Sequence, residues 1–214
     1  MTGNNRGTAR YEAVILDYGA VLCHGPLPHE IERMARIFGV AAAQFPALYA
    51  HERGSYDRGD LTTTEYWESV ARKASVELTP ETIEQLRRWD MEMWSRVNQP
   101  MKEWLAGLRG AGFQTALLSN MQHDMIEHVR ASFAWLGDFD HQIFSAEVRC
   151  IKPDEAIYRR CLEQLGVDAP SAIFVDDREE NVAAARRLGI AAFQFSSVPQ
   201  LRRDLESTGF PHLP

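Results

Sequence analysis

Cysteine is scarce in this sequence. The three thiols among 214 residues, Cys23, Cys150 and Cys161, are odd in number and carry no metal-ligand spacing, so neither a disulfide framework nor a cysteine metal site is expected. They fit reduced thiols in a cytoplasm, the expected location; Cys23 lies close to Asp17 but reads as a small buried residue. Long apolar runs are missing as well. None approaches the ~20 residues that cross a bilayer, and no basic-then-apolar leader opens the chain, so neither membrane insertion nor export by a cleaved signal is expected. Positive charge is in deficit, with 23 Lys and Arg against 30 Asp and Glu and a formal net charge of −7. That balance argues against a nucleic-acid partner or an anionic membrane surface. It does not oppose an anionic small substrate, because charge inside a pocket can differ from the total.

What is present is an ordinary globular balance, 45% hydrophobic and 25% charged, at a length suited to one large domain or a core with an inserted subdomain. Residues 1–10 are polar and aperiodic and read as a flexible terminus. Tyr11 to Asp17 reads as a strand. From Pro26 onward helical patterns follow one another. Ile31, Met34, Ala35 and Phe38 mark one amphipathic helix, Ala41 to His51 a second, and Gly54 to Asp60 a turn. Thr62 to Glu65 supplies cap residues for a helix reaching Ala74, and Thr79-Pro80-Glu81 opens another. After Pro100 helices alternate with strands at Phe113–Leu118, His141–Phe144, Ala172–Val175 and Ala191–Phe195. This alternation predicts an α/β fold, a Rossmann-like parallel sheet sandwiched by helices. The α/β core spans 11–25 and 98–214, and a helical insertion spans 26–97, placed as a cap. Trp67, Trp89, Met91, Met93 and Trp94 read mostly as the core of that insertion.

Asp17 ends the first apolar run and is followed by Tyr18-Gly19-Ala20, which places a carboxylate at the sheet edge where open parallel sheets bind ligands. Ser119-Asn120, Lys152-Pro153-Asp154 and Asp176-Asp177 follow further apolar runs. Singly, each has a structural explanation, such as a helix cap or an exposed turn. Together they supply what phosphoryl capture needs. Asp17 attacks phosphorus to form an aspartyl-phosphate, and Asp17 and Asp177 offer oxygen ligands suited to Mg²⁺. Ser119, Lys152 and backbone N–H groups around Gly19 and Ala20 supply fixed donors to the phosphoryl oxygens.

In order and spacing these motifs resemble those of the haloacid dehalogenase-like hydrolase superfamily, helical-cap class, in a phosphatase-like branch. They stand here as Leu16-Asp17-Tyr18-Gly19-Ala20-Val21, Leu118-Ser119-Asn120, Ile151-Lys152-Pro153-Asp154 and Val175-Asp176-Asp177 through Asn181. The resemblance covers roughly Glu12 to Phe195. It implies catalytic roles for Asp17 (nucleophile), Ser119 and Lys152. It implies substrate contacts from Ser119, Asn120, Lys152, Gly19 and Ala20, and metal ligation by Asp17, the Gly19 carbonyl, Asp177 and Asp176, the last directly or through water. Asn181 falls where many members carry another acid.

One departure stands out. Phosphatases of the family usually carry a second Asp two residues after the nucleophile as general acid and base, and this chain has Gly19. Losing such a group costs roughly 10²–10⁴-fold. His24 is a substitute by sequence, although a solvated loop histidine is the simpler reading. The expected activity is therefore a Mg²⁺-dependent phosphatase of a small phosphorylated metabolite, such as a sugar phosphate, acting as monomer or homodimer. A metal-independent 2-haloacid dehalogenase and a weakly active or inactive binding protein are the alternatives.

Overall fold

Five short apolar stretches become strands: β1 (Ala13–Leu16), β2 (Gln114–Ser119), β3 (His141–Phe144), β4 (Ala172–Asp176) and β5 (Ala191–Gln194). In this computed structural model, which describes residues 11–211, they form one parallel sheet in the order β3-β2-β1-β4-β5. β1 and β4 are buried along their whole length, as expected of parallel strands covered on both faces. The flexible terminus expected at 1–10 lies outside the described residues.

Helices α1 (Pro28–Ile37), α2 (Phe45–Tyr49), α3 (Arg53–Asp57), α4 (Thr63–Ala74) and α5 (Pro80–Met93) follow β1 without an intervening strand. Then come α6 (Gln99–Gly110), α7 (His123–Ser132), α8 (Ser145–Val148), α9 (Glu155–Leu165), α10 (Glu179–Arg187) and α11 (Val198–Glu206). The two-residue period of a strand sorts the core into layers. Val14 and Leu16 face α6, α7 and α11 through Leu105, Val129 and Leu201. Ala13 and Ile15 face α9 and α10 through Ile157, Cys161 and Val182.

The helices α1–α5 enclose a separate core of Met34, Phe38, Phe45, Tyr66, Trp67 and Leu86. Thr62 and Glu65 form a reciprocal capping box at the start of α4, and Thr79 caps α5 with Pro80 in its first turn. Such caps stabilise each helix by about 1 kcal/mol. Where the chain leaves β1 and where it returns, the two crossings lie side by side. The His24 N–H donates to Arg96 O (2.7 Å), the Asn98 N–H to Leu22 O (2.9 Å) and Asn98 Nδ2 to Val21 O (2.9 Å).

Three local expectations fail. The helix expected over Ala41–His51 forms only at Phe45–Tyr49; Pro46 suits a first turn and disfavours helix before it. The turn expected at Gly54–Asp60 forms only at Arg58–Asp60; before it lies α3, entered through Glu52 in the left-handed region. Its Gly, Ser and Asp residues favour turns, but an Arg53–Asp57 pair at 2.9 Å and a hydrogen bond from Ser145 to the Asp57 carbonyl override that propensity. Lys152 does not sit at a strand end: α8 and a loop separate it from β3. Among the described residues no helix is long and apolar enough to cross a membrane.

Candidate active site

The register brings the polar clusters together. Leu16 pairs with Leu117 on one side and Val175 on the other, so Asp17 and Asp176 emerge level on adjacent strands, with Ser119 ending β2 beside them. The Asp17 N–H donates to Val175 O (2.9 Å), and Asp17 Oδ1 accepts from the Tyr18 N–H (2.7 Å). The chain then turns widely through Tyr18–Leu22, closed by the Cys23 N–H donating to Tyr18 O (3.0 Å). Inside that turn Ala20 adopts φ 54°, a left-handed conformation costing a non-glycine residue about 1 kcal/mol or more. Strain of this kind collects at ligand sites.

Lys152, 3% exposed, lies between the acids. Its Nζ donates to Asp17 Oδ1 (2.8 Å) and Asp176 Oδ2 (2.6 Å). Asn120 fixes the Lys152 loop reciprocally, donating to Lys152 O (2.9 Å) and accepting from the Lys152 N–H (2.8 Å). Asp176 is saturated with donors: besides Lys152 it accepts from the Arg178 N–H (2.8 Å) and from Asn181 Nδ2 at 3.0 and 3.1 Å. Asp177 is half-buried, and among the described residues no side chain donates to its carboxylate. Ligand oxygens of Asp17, Asp176 and Asp177 lie within 4.8 Å of one another. Ser119 lines the same space, and among the described residues its hydroxyl has no hydrogen-bond partner.

Burial pushes the Asp17 pKa up to about 7, against the pull of Lys152 and with a further push from Asp176. Burial also raises Asp177, helped by Asp176. Burial opposes the charge on Lys152, yet Asp17 and Asp176 together hold its pKa above the usual lysine value. Three carboxylates around one ammonium leave an uncompensated negative charge, and the donor set is all oxygen. That chemistry fits a hard divalent cation such as Mg²⁺.

These groups line a cavity of about 180 Å³ together with Gly19, Asn120, Gln122, Asn181, Tyr49, Arg53, Asp57 and Trp94. Ala20 and His24 are not among the lining residues. His24 is exposed, and Cys23 is fully buried, its thiol pushed up to about 12 by burial. A larger open groove of about 610 Å³ between His51 and Lys73 contains none of the motif residues.

The haloacid dehalogenase-like hydrolase family model matches residues 11–189. This chain belongs to that family. Among its relatives, Phosphatase MT3486 of Mycobacterium tuberculosis is 28% identical over 151 residues, 68% of this chain and 69% of its own. A HAD family enzyme of Bacteroides thetaiotaomicron has the same fold, with TM-score 0.74 and 20% identity over 89% of this chain and 96% of its own; it has also been solved as a magnesium complex. The L-2-haloacid dehalogenase of Xanthobacter autotrophicus matches with TM-score 0.67 and 19% identity, over 94% of this chain and 85% of its own. The chain spans between 20% and 35% of the length of several curated relatives that it matches.

Sequence reasoning placed the inserted helices as a cap but missed the polar side chains Tyr49, Arg53 and Asp57 that they bring to this hydrolase site. Arg53 lies against the rings of Tyr49, Tyr56 and Tyr66, at 4.7, 5.5 and 5.8 Å. It donates to Asp57 Oδ1 (2.9 Å), Asp90 Oδ2 (3.3 Å), Gln122 Oε1 (3.1 Å) and the Tyr49 hydroxyl. Gln122 follows β2, so Arg53 ties the insertion to the sheet edge. One signal was legible: Asp90 interrupts the buried stripe Ile83, Leu86, Met93 of α5, and an acid on an apolar face demands a partner.

Proposed function

We propose that this hydrolase is a Mg²⁺-dependent phosphatase of a small phosphorylated metabolite. The convergence of Asp17, Asp176 and Asp177 within 4.8 Å, with Lys152 between two of them, carries the reading. Asp17 is the nucleophile, forming and then losing an aspartyl-phosphate. Its attack needs an ionised carboxylate, which Lys152 favours. Lys152 and the Ser119 hydroxyl hold the transferring phosphoryl oxygens. Asp17, Asp177 and the Gly19 carbonyl would hold the cation, with Asp176 behind them because its oxygens already accept four hydrogen bonds from three donors. When bound, Mg²⁺ supplies charge neutralisation between an anionic nucleophile and an anionic substrate. The magnesium complex of a similarly folded enzyme supports that choice of metal.

The helices α1–α5 act in this reading as a cap that selects substrate and excludes water. A cavity of about 180 Å³ is small beside the roughly 300–1,000 Å³ of drug-sized sites. Its lining of Tyr49, Arg53, Asp57, Asn120 and Gln122 suits hydroxyl-rich compounds, so a sugar phosphate is the favoured substrate class. The test is hydrolysis of 4-nitrophenyl phosphate and a phosphometabolite panel. Turnover that requires Mg²⁺ and disappears with EDTA and with Asp17→Asn supports the reading. Halide release from 2-haloacids without metal overturns it in favour of a dehalogenase, and silence in both assays in favour of a binding protein.

A further inference from the structure

Gly19 leaves the catalytic turn without a carboxylate two residues past the nucleophile, and His24 is exposed and outside the cavity. A phosphatase acting on ordinary alcohol leaving groups needs a proton donor from elsewhere. Among the described residues, the acids lining the cavity are Asp17, Asp177 and Asp57. The first two belong to the cation cluster. Asp57 does not.

The surroundings of Asp57 suit proton transfer. It ends α3, which the insertion carries but the core holds: the Ser145 hydroxyl donates to the Asp57 carbonyl (2.5 Å) and accepts from the Met121 N–H (2.8 Å). Among the described residues the Asp57 side chain takes one hydrogen bond, from Arg53 to Oδ1 (2.9 Å), and Oδ2 takes none. Asp90 takes three, from the Tyr49 hydroxyl (2.5 Å), Arg53 (3.3 Å) and Gln122 (3.3 Å). Two carboxylates thus share one guanidinium, and Asp90 is the better satisfied of the two. Asp57 is where a proton can reside. Burial is the largest influence on Asp57 and raises its pKa; Arg53 opposes the rise, Asp90 adds to it, and Arg178 opposes it.

We propose that Asp57 is the general acid and base of this hydrolase, supplied by the inserted helices in place of the acid that Gly19 lacks. The proposal rests on the phosphatase reading. In the first step an Asp17 oxygen bonds to phosphorus, the bond to the ester oxygen breaks with its electron pair on that oxygen, and the Asp57 proton passes to it. In the second, water oxygen bonds to phosphorus and gives its proton to the Asp57 carboxylate. The Asp17–phosphorus bond then breaks, releasing phosphate and restoring both carboxyl groups. Because α3 belongs to the insertion, proton supply is coupled to the placement of these helices over the sheet edge.

The test compares kcat/KM for 4-nitrophenyl phosphate, whose leaving group departs without protonation, with phenyl phosphate, a poorer leaving group of similar shape. Asp57→Asn is expected to lose about 10²-fold or more on phenyl phosphate and less than about tenfold on the nitrophenyl ester. The basic limb of the wild-type pH profile on phenyl phosphate is expected to disappear. Adding Gly19→Asp to that variant is expected to restore phenyl phosphate turnover: a Cβ at Gly19 meets only Trp94 at 3.7 Å and Asp17 Oδ2 at 4.0 Å. Equal losses on both esters, with the pH profile kept, would make Asp57 a positioning residue for Arg53 and overturn the proposal, as would an unchanged phenyl phosphate rate. If Asp57→Asn does not fold, Asp57→Glu serves; retention of the wild-type ratio between the esters supports the proposal, and a changed ratio overturns it. A wild type that hydrolyses neither ester with Mg²⁺ refutes the phosphatase reading itself, a result distinct from an active wild type with an indifferent Asp57.

Discussion

Replacing Asp17, the proposed nucleophile, should stabilise the metal-free protein. Asp17 is 6% exposed, and its pKa rises from 3.8 to about 7 through burial, resisted by Lys152 and reinforced by Asp176. The folded protein therefore holds this proton to higher pH than the unfolded chain does. On that account stability is greatest below about pH 4, falls as pH rises towards about 7, and levels above it. At 1.36 kcal/mol per pH unit the interval comes to about 4 kcal/mol. That figure already includes the favourable pull of Lys152, so Asp17→Asn, which carries no charge, removes the whole of it. The expected gain is about 4 kcal/mol at pH 8 in EDTA, shrinking towards zero at pH 4. Urea denaturation of both proteins at the two pH values reads it directly. Saturating Mg²⁺ should reverse the order, because a cation bound only by the folded wild type stabilises it by mass action. A variant less stable than wild type at pH 8 in EDTA, or a gain that is the same at pH 4, would refute the reasoning.

Two further substitutions probe the scaffold. Asn120→Ala removes both hydrogen bonds that fix the Lys152 loop; thermal melts should show a loss of about 1–3 kcal/mol, and kcat should fall more than KM rises. Gly59→Ala places a Cβ 2.9 Å from His123 Nε2 and 3.3 Å from Ala146 O at φ +79°, so chemical denaturation should show a loss of about 1–3 kcal/mol, against little change for Gly25→Ala, where nothing lies within 4 Å.

The sheet and its motif residues were legible because their signals are local. A short apolar run flanked by turn residues becomes a buried parallel strand almost regardless of context, and β3 keeps its expected bounds, His141–Phe144. The second half of the cavity gave no comparable signal. Tyr49, Arg53, Asp57 and Gln122 are polar residues on short helices or loops, indistinguishable in one sequence from a solvated face. Turn-forming residues at Gly54–Asp60 even pointed away from the helix that forms there.

Residue order alone determined the alternating α/β core, the helical insertion after the first strand, and the four polar clusters carried at or near the sheet edge. Tertiary structure decided that Lys152 lies between Asp17 and Asp176, that Asp176 is saturated while Asp177 is only half-buried, and that Arg53 and Asp57 face the same cavity. The division has one physical cause. Backbone propensity and hydrophobic period act over a few residues, whereas the protonation state and hydrogen-bond capacity of a buried polar group depend on neighbours that only folding brings near it.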